Sequence, residues 1–148
     1  MMRIENIEIR DLQAPLIQPF RIATGQHNHL DNLLVILHLS DGTIGYGEAA
    51  IASHITGETV EQTKDHLGTA AQCLKGQLVS DYLRMSFWLH DSFPHNKAAV
   101  AAIEMALLDA LTKSMKIPLW KMFGRKVHRL STDITIVIAS LEETYART

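Results

Sequence analysis

The spacing of hydrophobic and polar positions changes period along this chain, and the changes mark its elements. Near the start the period is two. Ile7 and Ile9 alternate with Glu8 and Arg10, which predicts a strand ending before Pro15. Residues 18–29 show no period and carry several turn formers, so they read as a long loop. Asn32 to Ser40 is dense in Leu, Val and Ile and predicts a strong strand. Asp41-Gly42 is a hairpin signal, and Thr43 to Ala49 returns as a third strand. The front third therefore predicts a three-stranded antiparallel meander.

Ala50 to Glu58 is a second irregular segment, after which the period becomes helical. Thr59 with Gln62 forms a capping box. Val60, Leu67, Ala70, Ala71 and Leu74 share one helical face, and Gly76 suits the stop. Asp81 to His90 is a shorter helix ended by Pro94. Asn96 is placed to cap a helix running to Met115 that is apolar on nearly every side, which marks it as the buried core helix. Pro118 starts a short helix closed by Gly124. Thr132 to Ala139 is a β-branched run typical of strands buried on both faces, and Ser140 onward begins a helix. A parallel strand needs a crossover partner, and none follows before Thr148. The chain thus reads as one cut where a βα architecture begins.

Charge and composition narrow the function classes. Across 148 residues the formal net charge is −2, so no global field favours nucleic acid or an acidic membrane. The single cysteine, Cys73, excludes an internal disulfide framework; it sits on or beside an apolar helix face and reads as inert core. No signal-peptide or membrane-spanning pattern is present, which predicts a cytoplasmic protein. Lys113, Lys116, Lys121, Arg125, Lys126 and Arg129 cluster near helix ends, where helix C-termini account for them, and no aromatic residues interleave.

The candidate chemistry is sparse. Glu104 and Asp109 lie about 140° apart around the core helix, so they cannot converge on one atom as an acid–base pair and read as buried, satisfied scaffold. Gly45-Tyr46-Gly47-Glu48-Ala49-Ala50 fits G-x-G-x-x-A after a strand, but no helix N-terminus follows to hold a pyrophosphate. Its glycines read as a bulge or a close backbone approach. His27, His29 and His54 lie in the two irregular segments without a nearby acid or cysteine ligand, and read as loop histidines. No complete active site is present, and the two irregular segments are the places built to touch something.

Five stretches, in order, carry a resemblance: Pro19 to Gly25, Asp41 to Ala49, Ile55-Thr56-Gly57-Glu58-Thr59, Ala99 to Asp109, and Pro118 to Gly124. They resemble the N-terminal capping domain of the mandelate racemase/muconate lactonizing enzyme branch of the enolase superfamily. Ile55 to Thr59 and the Thr132-Asp133-Ile134-Thr135 stretch are most similar to dipeptide epimerases. The resemblance implies an α+β fold: a three-stranded antiparallel meander followed by a helical bundle, plus the first β-strand of a truncated (β/α)8 barrel. The cap would span 1–130 and the barrel start 131–148.

In such enzymes Mg²⁺, held by barrel carboxylates, stabilises an enediolate-like intermediate while lysines move the proton α to a carboxylate. Those positions would lie beyond Thr148. The resemblance therefore implies no catalytic residue, no metal ligand and no bound Mg²⁺ in this chain, which is expected to be inactive by itself. What it can carry is specificity. The implied substrate-binding residues are Phe20, Ile22 and Thr24 in the first loop, Ile51, His54 and Ile55 in the second, and Thr135 on the barrel strand. The substrate would be a small carboxylate or a dipeptide. Some epimerases of glutamate-containing dipeptides carry an arginine where this chain has Gly25, which departs from Ala-Glu specificity; Arg21, His27 or His29 remain open as substitutes. Muconate cycloisomerase and o-succinylbenzoate synthase caps are the alternatives. A non-enzymatic module that self-associates into a homo-oligomer through its uncovered barrel-facing surface is a further one.

Overall fold

The alternation along the strands sorts side chains onto two faces of one sheet, and the core lies on the face that the helices cover. The computed structural model describes residues 2–22, 25–124, 131–132 and 141–145. In it, β1 (Ile4–Ile22), β2 (Gly25–Leu39) and β3 (Ile44–Ala49) form an antiparallel sheet in the order β1-β2-β3. Leu33, Val35, Leu37 and Leu39 point inward and are fully buried. On the opposite face Glu8 pairs with Arg10 at 2.5 Å and with His38 at 2.9 Å. The helices are α1 (Ser53–Thr56), α2 (Val60–Leu74), α3 (Tyr82–Ser92), α4 (Lys97–Ser114) and α5 (Leu141–Tyr145), with 3-10 turns at Val79–Asp81 and Leu119–Met122.

The expected antiparallel meander with helices after it is the observed architecture, and the core helix is α4. Asn96 caps it, its Oδ1 accepting the Ala99 N–H at 2.9 Å, while its amide donates to the buried Thr63 hydroxyl at 3.0 Å. Gly45 and Gly47 explain how closely α4 sits. A methyl group added at Gly47 would fall on the Ala102 carbonyl oxygen, and one at Gly45 on that of Ala106. Across the sheet Val35 stands beside Gly47 and Leu37 beside Gly45, so bulk on β2 is matched by absence of bulk on β3. The glycines thus serve close approach, one of the two readings, bulge or close approach, expected for them.

The two acids of α4 are satisfied separately, but both are partly exposed rather than buried as expected. Glu104 accepts from the Ser86 hydroxyl and lies 3.2 Å from His90 Nε2. Asp109 accepts the Tyr46 N–H at 2.9 Å and pairs with Lys113 at 2.6 Å. The helix is not buried on every side: Ala101 and Met105 leave one stripe open.

Three expectations are corrected. The first strand does not end before Pro15, and residues 18–29 are not a loop. The β1–β2 ladder continues as a two-stranded arm in which Phe20 pairs with His27, Arg21 with Gln26 and Ile22 with Gly25. β1 is an edge strand and needs ladder bonds on one side only, so it passes Pro15 and Pro19, with a register break between Pro15 and Phe20. Second, the irregular segment Ala50 to Glu58 contains the single turn α1, whose Thr56 N–H bonds the Ala52 carbonyl at 3.0 Å. Third, Cys73 is exposed. It lies about 100° around the helix from Leu74, past the edge of the buried stripe Thr63, Leu67, Ala70 and Leu74. The strand expected from Thr132 to Ala139 falls outside the described residues from Asp133 on, as do Ser140, Arg125, Lys126 and Arg129.

Candidate functional site

Beyond Leu33 the sheet loses its third strand, because β3 pairs with β2 only between Leu33 and His38. The remaining arm, about residues 12–32, leans over the strap formed by residues 50–58. Between arm and strap lies an open cavity of about 920 Å³. Its apolar lining is Pro15, Leu16, Ile17 and Phe20 from the arm and Ile51 and Ile55 from the strap. Ile17 is fully exposed and Ile55 is 73% exposed, an unusual placement for isoleucine unless something covers it. Its polar lining includes His27, His29, Asp31 and Asn32 from the arm and His54 from the strap. The His27 and His54 rings meet between arm and strap, centroids 4.7 Å apart and planes at 35°.

The strap is tied to the fold at both ends. Asn32, nearly buried, donates to Glu48 Oε1 at 2.5 Å and accepts the Ile51 N–H at 3.4 Å. At the far end Glu58 accepts backbone N–H groups from the start of α4. The base of the arm is held to α2 by Lys64 and Asp11 at 2.6 Å.

Of the residues implied by the resemblance, Phe20, Ile51, His54 and Ile55 line this one cavity. Thr24, Thr135 and the side chain of Ile22 lie outside the described residues. Among the possible carboxylate partners, His27 and His29 line the cavity. Arg21 does not, and donates to Gln26 Oε1 at 2.8 Å. Sequence reasoning missed Leu16, Ile17, Asn32 and Glu58. Leu16 and Ile17 fell between the strand expected to end before Pro15 and the loop expected from residue 18; Glu58 stood in the Ile-Thr-Gly-Glu-Thr motif without a role.

Among the described residues two carboxyl groups are displaced from their ordinary range, Glu8 and Asp41, and neither lines the cleft. A hydrogen bond from the Arg10 guanidinium holds Glu8 below the usual range against the opposing effect of desolvation, with the charges of Arg10 and His38 adding to the lowering. The Thr43 backbone N–H, at 2.9 Å, does the same for Asp41. Among the described residues no three His, Cys, Asp or Glu side chains are grouped to hold a metal ion. No described helix is long and apolar enough to cross a membrane.

A meander with an overhanging arm, backed by a small-residue helix, defines a class. Residues 4–124 match the mandelate racemase / muconate lactonizing enzyme, N-terminal domain, and the chain belongs to that family. Among curated proteins it is 47% identical over 140 residues to the hydrophobic dipeptide epimerase of Citrifermentans bemidjiense, covering 91% of this chain and 38% of that protein. Among solved structures it is similar to the dipeptide epimerase from Methylococcus capsulatus complexed with Mg and the dipeptide L-Arg-D-Lys. That match has 35% identity and a TM-score of 0.90, covering 98% of this chain and 41% of the other. The dipeptide epimerase from Enterococcus faecalis V583 complexed with Mg and L-Leu-L-Tyr matches with 26% identity and a TM-score of 0.91, with the same coverage. The chain therefore spans about two-fifths of the length of these relatives.

Proposed function

We propose that this chain forms the substrate-covering cap of a Mg²⁺-dependent epimerase that acts on dipeptides with apolar side chains. The observation that carries this reading is the apolar lining of the cleft, where Leu16, Ile17, Phe20, Ile51 and Ile55 from two segments face one space. Such a lining gains free energy when an apolar side chain displaces water from it. The kinship to a hydrophobic dipeptide epimerase supports the same substrate class. Gly25 supports it from another side. It offers no charge, and its φ of 151° is an angle that an arginine side chain rarely adopts. In this reading residues 1–130 are the cap and 131–148 begin the catalytic barrel, which supplies the metal ligands and the proton-transferring groups. The cap excludes water and selects the side chain.

The test is a chimera in which this chain precedes the barrel of the Citrifermentans bemidjiense enzyme. α-Proton exchange in D₂O with Mg²⁺ is expected to be faster for L-Leu-L-Tyr than for L-Ala-L-Glu. A folded chimera that prefers L-Ala-L-Glu, or exchanges neither, would sink the reading. The 148-residue chain alone is expected to exchange neither, and exchange by it would overturn its assignment as a cap without catalytic groups.

A further inference from the structure

We infer that Glu58 is a positioning residue that holds His54 and Ile55 in place along the cleft. Glu58 is 4% exposed, although the five residues before it, Ser53 to Gly57, are all exposed. Its Oε1 accepts the backbone N–H groups of Lys97 at 2.5 Å and Ala98 at 3.3 Å. These are first-turn donors of α4 that no helical carbonyl can satisfy, and the positive end of the helix favours a carboxylate there. Its Oε2 accepts the hydroxyl of Thr56, the last residue of α1, at 3.1 Å. Its own N–H donates back to the Thr56 oxygen at 3.3 Å. Asn96 already takes the Ala99 N–H, so α4 keeps a cap without Glu58.

The strap is therefore pinned at each end by a buried polar side chain, Asn32 at Ile51 and Glu58 at Thr56. Between the pins α1 has four residues and no buried side chain. A single turn of that length does not sustain itself in water. The position of His54 against His27, and of Ile55 in the apolar lining, rests on the two pins. This inference takes from the proposed function only the description of the cleft as substrate-facing; the geometry it concerns can be measured without substrate.

The experiment is NMR on the 148-residue chain, with three readouts: the NOE between the His27 and His54 rings, amide exchange of Ile55, Thr56 and Gly57, and amide exchange of Ile103 and Leu107 in α4. In Glu58→Ala the ring NOE is expected to vanish and strap exchange to accelerate about tenfold, while the α4 amides keep their protection. Glu58→Gln keeps the Oε1 acceptor and can donate to Thr56 Oγ1, so it is expected to retain the NOE. An unchanged NOE and unchanged strap exchange in Glu58→Ala overturn the inference. So does equal acceleration in the strap and α4, or loss of the NOE in Glu58→Gln. If Glu58→Ala does not fold, Thr56→Val decides: faster strap exchange supports the pin, and unchanged exchange overturns it. Activity of the chimera is not a readout here, so the two proposals fail separately.

Discussion

The seam between β3 and α4 and the cleft between arm and strap are built on opposite rules. At the seam the chain removes side chains: Gly45 and Gly47 meet the Ala102, Ala106 and Ala110 stripe, and backbone lies against backbone. Bulk is supplied next door by Val35, Leu37, Ile103 and Leu107, all buried. At the cleft the chain does the reverse, displaying Ile17 and Ile55 to solvent on a two-stranded arm and a one-turn helix. The seam buries its apolar residues, and the cleft leaves them facing solvent. The contrast teaches where each kind of substitution will be felt.

The largest effect is expected in the core beside the seam. Leu107→Ala leaves a cavity under the sheet and should lower unfolding free energy by about 3–4 kcal/mol. Denaturant titration checks it, with the His27–His54 NOE unchanged below the transition. Next is Gly47→Ala, where the added methyl must push α4 off β3; a loss of about 2 kcal/mol is expected by the same titration. A neutral Gly47→Ala would mean the seam can open, and would break the comparison from its stable side.

At the cleft the order of effects inverts. Ile17→Ser with Ile55→Ser should change stability by less than about 0.5 kcal/mol, since both side chains already face water. In the chimera the same pair should raise KM for L-Leu-L-Tyr about tenfold, the equivalent of about 1.4 kcal/mol of binding. A large stability loss would show that the cleft wall is core after all.

The smallest effect is a pH dependence confined to the sheet. Asp41 and Glu8 have carboxyl groups held below their ordinary range. Their contribution is present above that range and is lost as pH falls through the lowered folded values. Both groups face solvent, so Asp41→Asn is expected to flatten the acid limb of the stability profile only slightly. Thermal melts from pH 7 down to the acid limb would show it, and a steeper limb in Asp41→Asn would contradict the assigned hydrogen bond to Thr43.

Much of this architecture is readable from local pattern. The strand from Asn32 to Ser40, the Asp41-Gly42 hairpin, the Thr59 and Asn96 caps and the central helix each follow from period or from a turn or cap residue acting within a few positions. The glycines of β3 were legible as a bulge or a close approach because a nucleotide site lacked its helix, and the packing of α4 decided for close approach. Phe20, Ile51, His54 and Ile55 could be named only through resemblance, since no local rule places two segments thirty residues apart on one cavity.

The arm shows what local pattern cannot reach. Residues 18–29 carry Pro19 and no alternation, and extended structure there depends on pairing with a partner strand through backbone bonds that side-chain period does not encode. Leu16 and Ile17 became visible only when that pairing carried them over the strap. Cys73 moved from expected core to surface because one helical step of about 100° separates the edge of a buried stripe from solvent. Glu58 is the clearest case. Its sequence neighbours are exposed and give no reason for burial; its partners are Lys97 and Ala98, 39 and 40 residues away. Residue period and capping chemistry act over a few positions, so the chain itself determines the elements. The cleft consists of contacts between elements, and only their packing decides it.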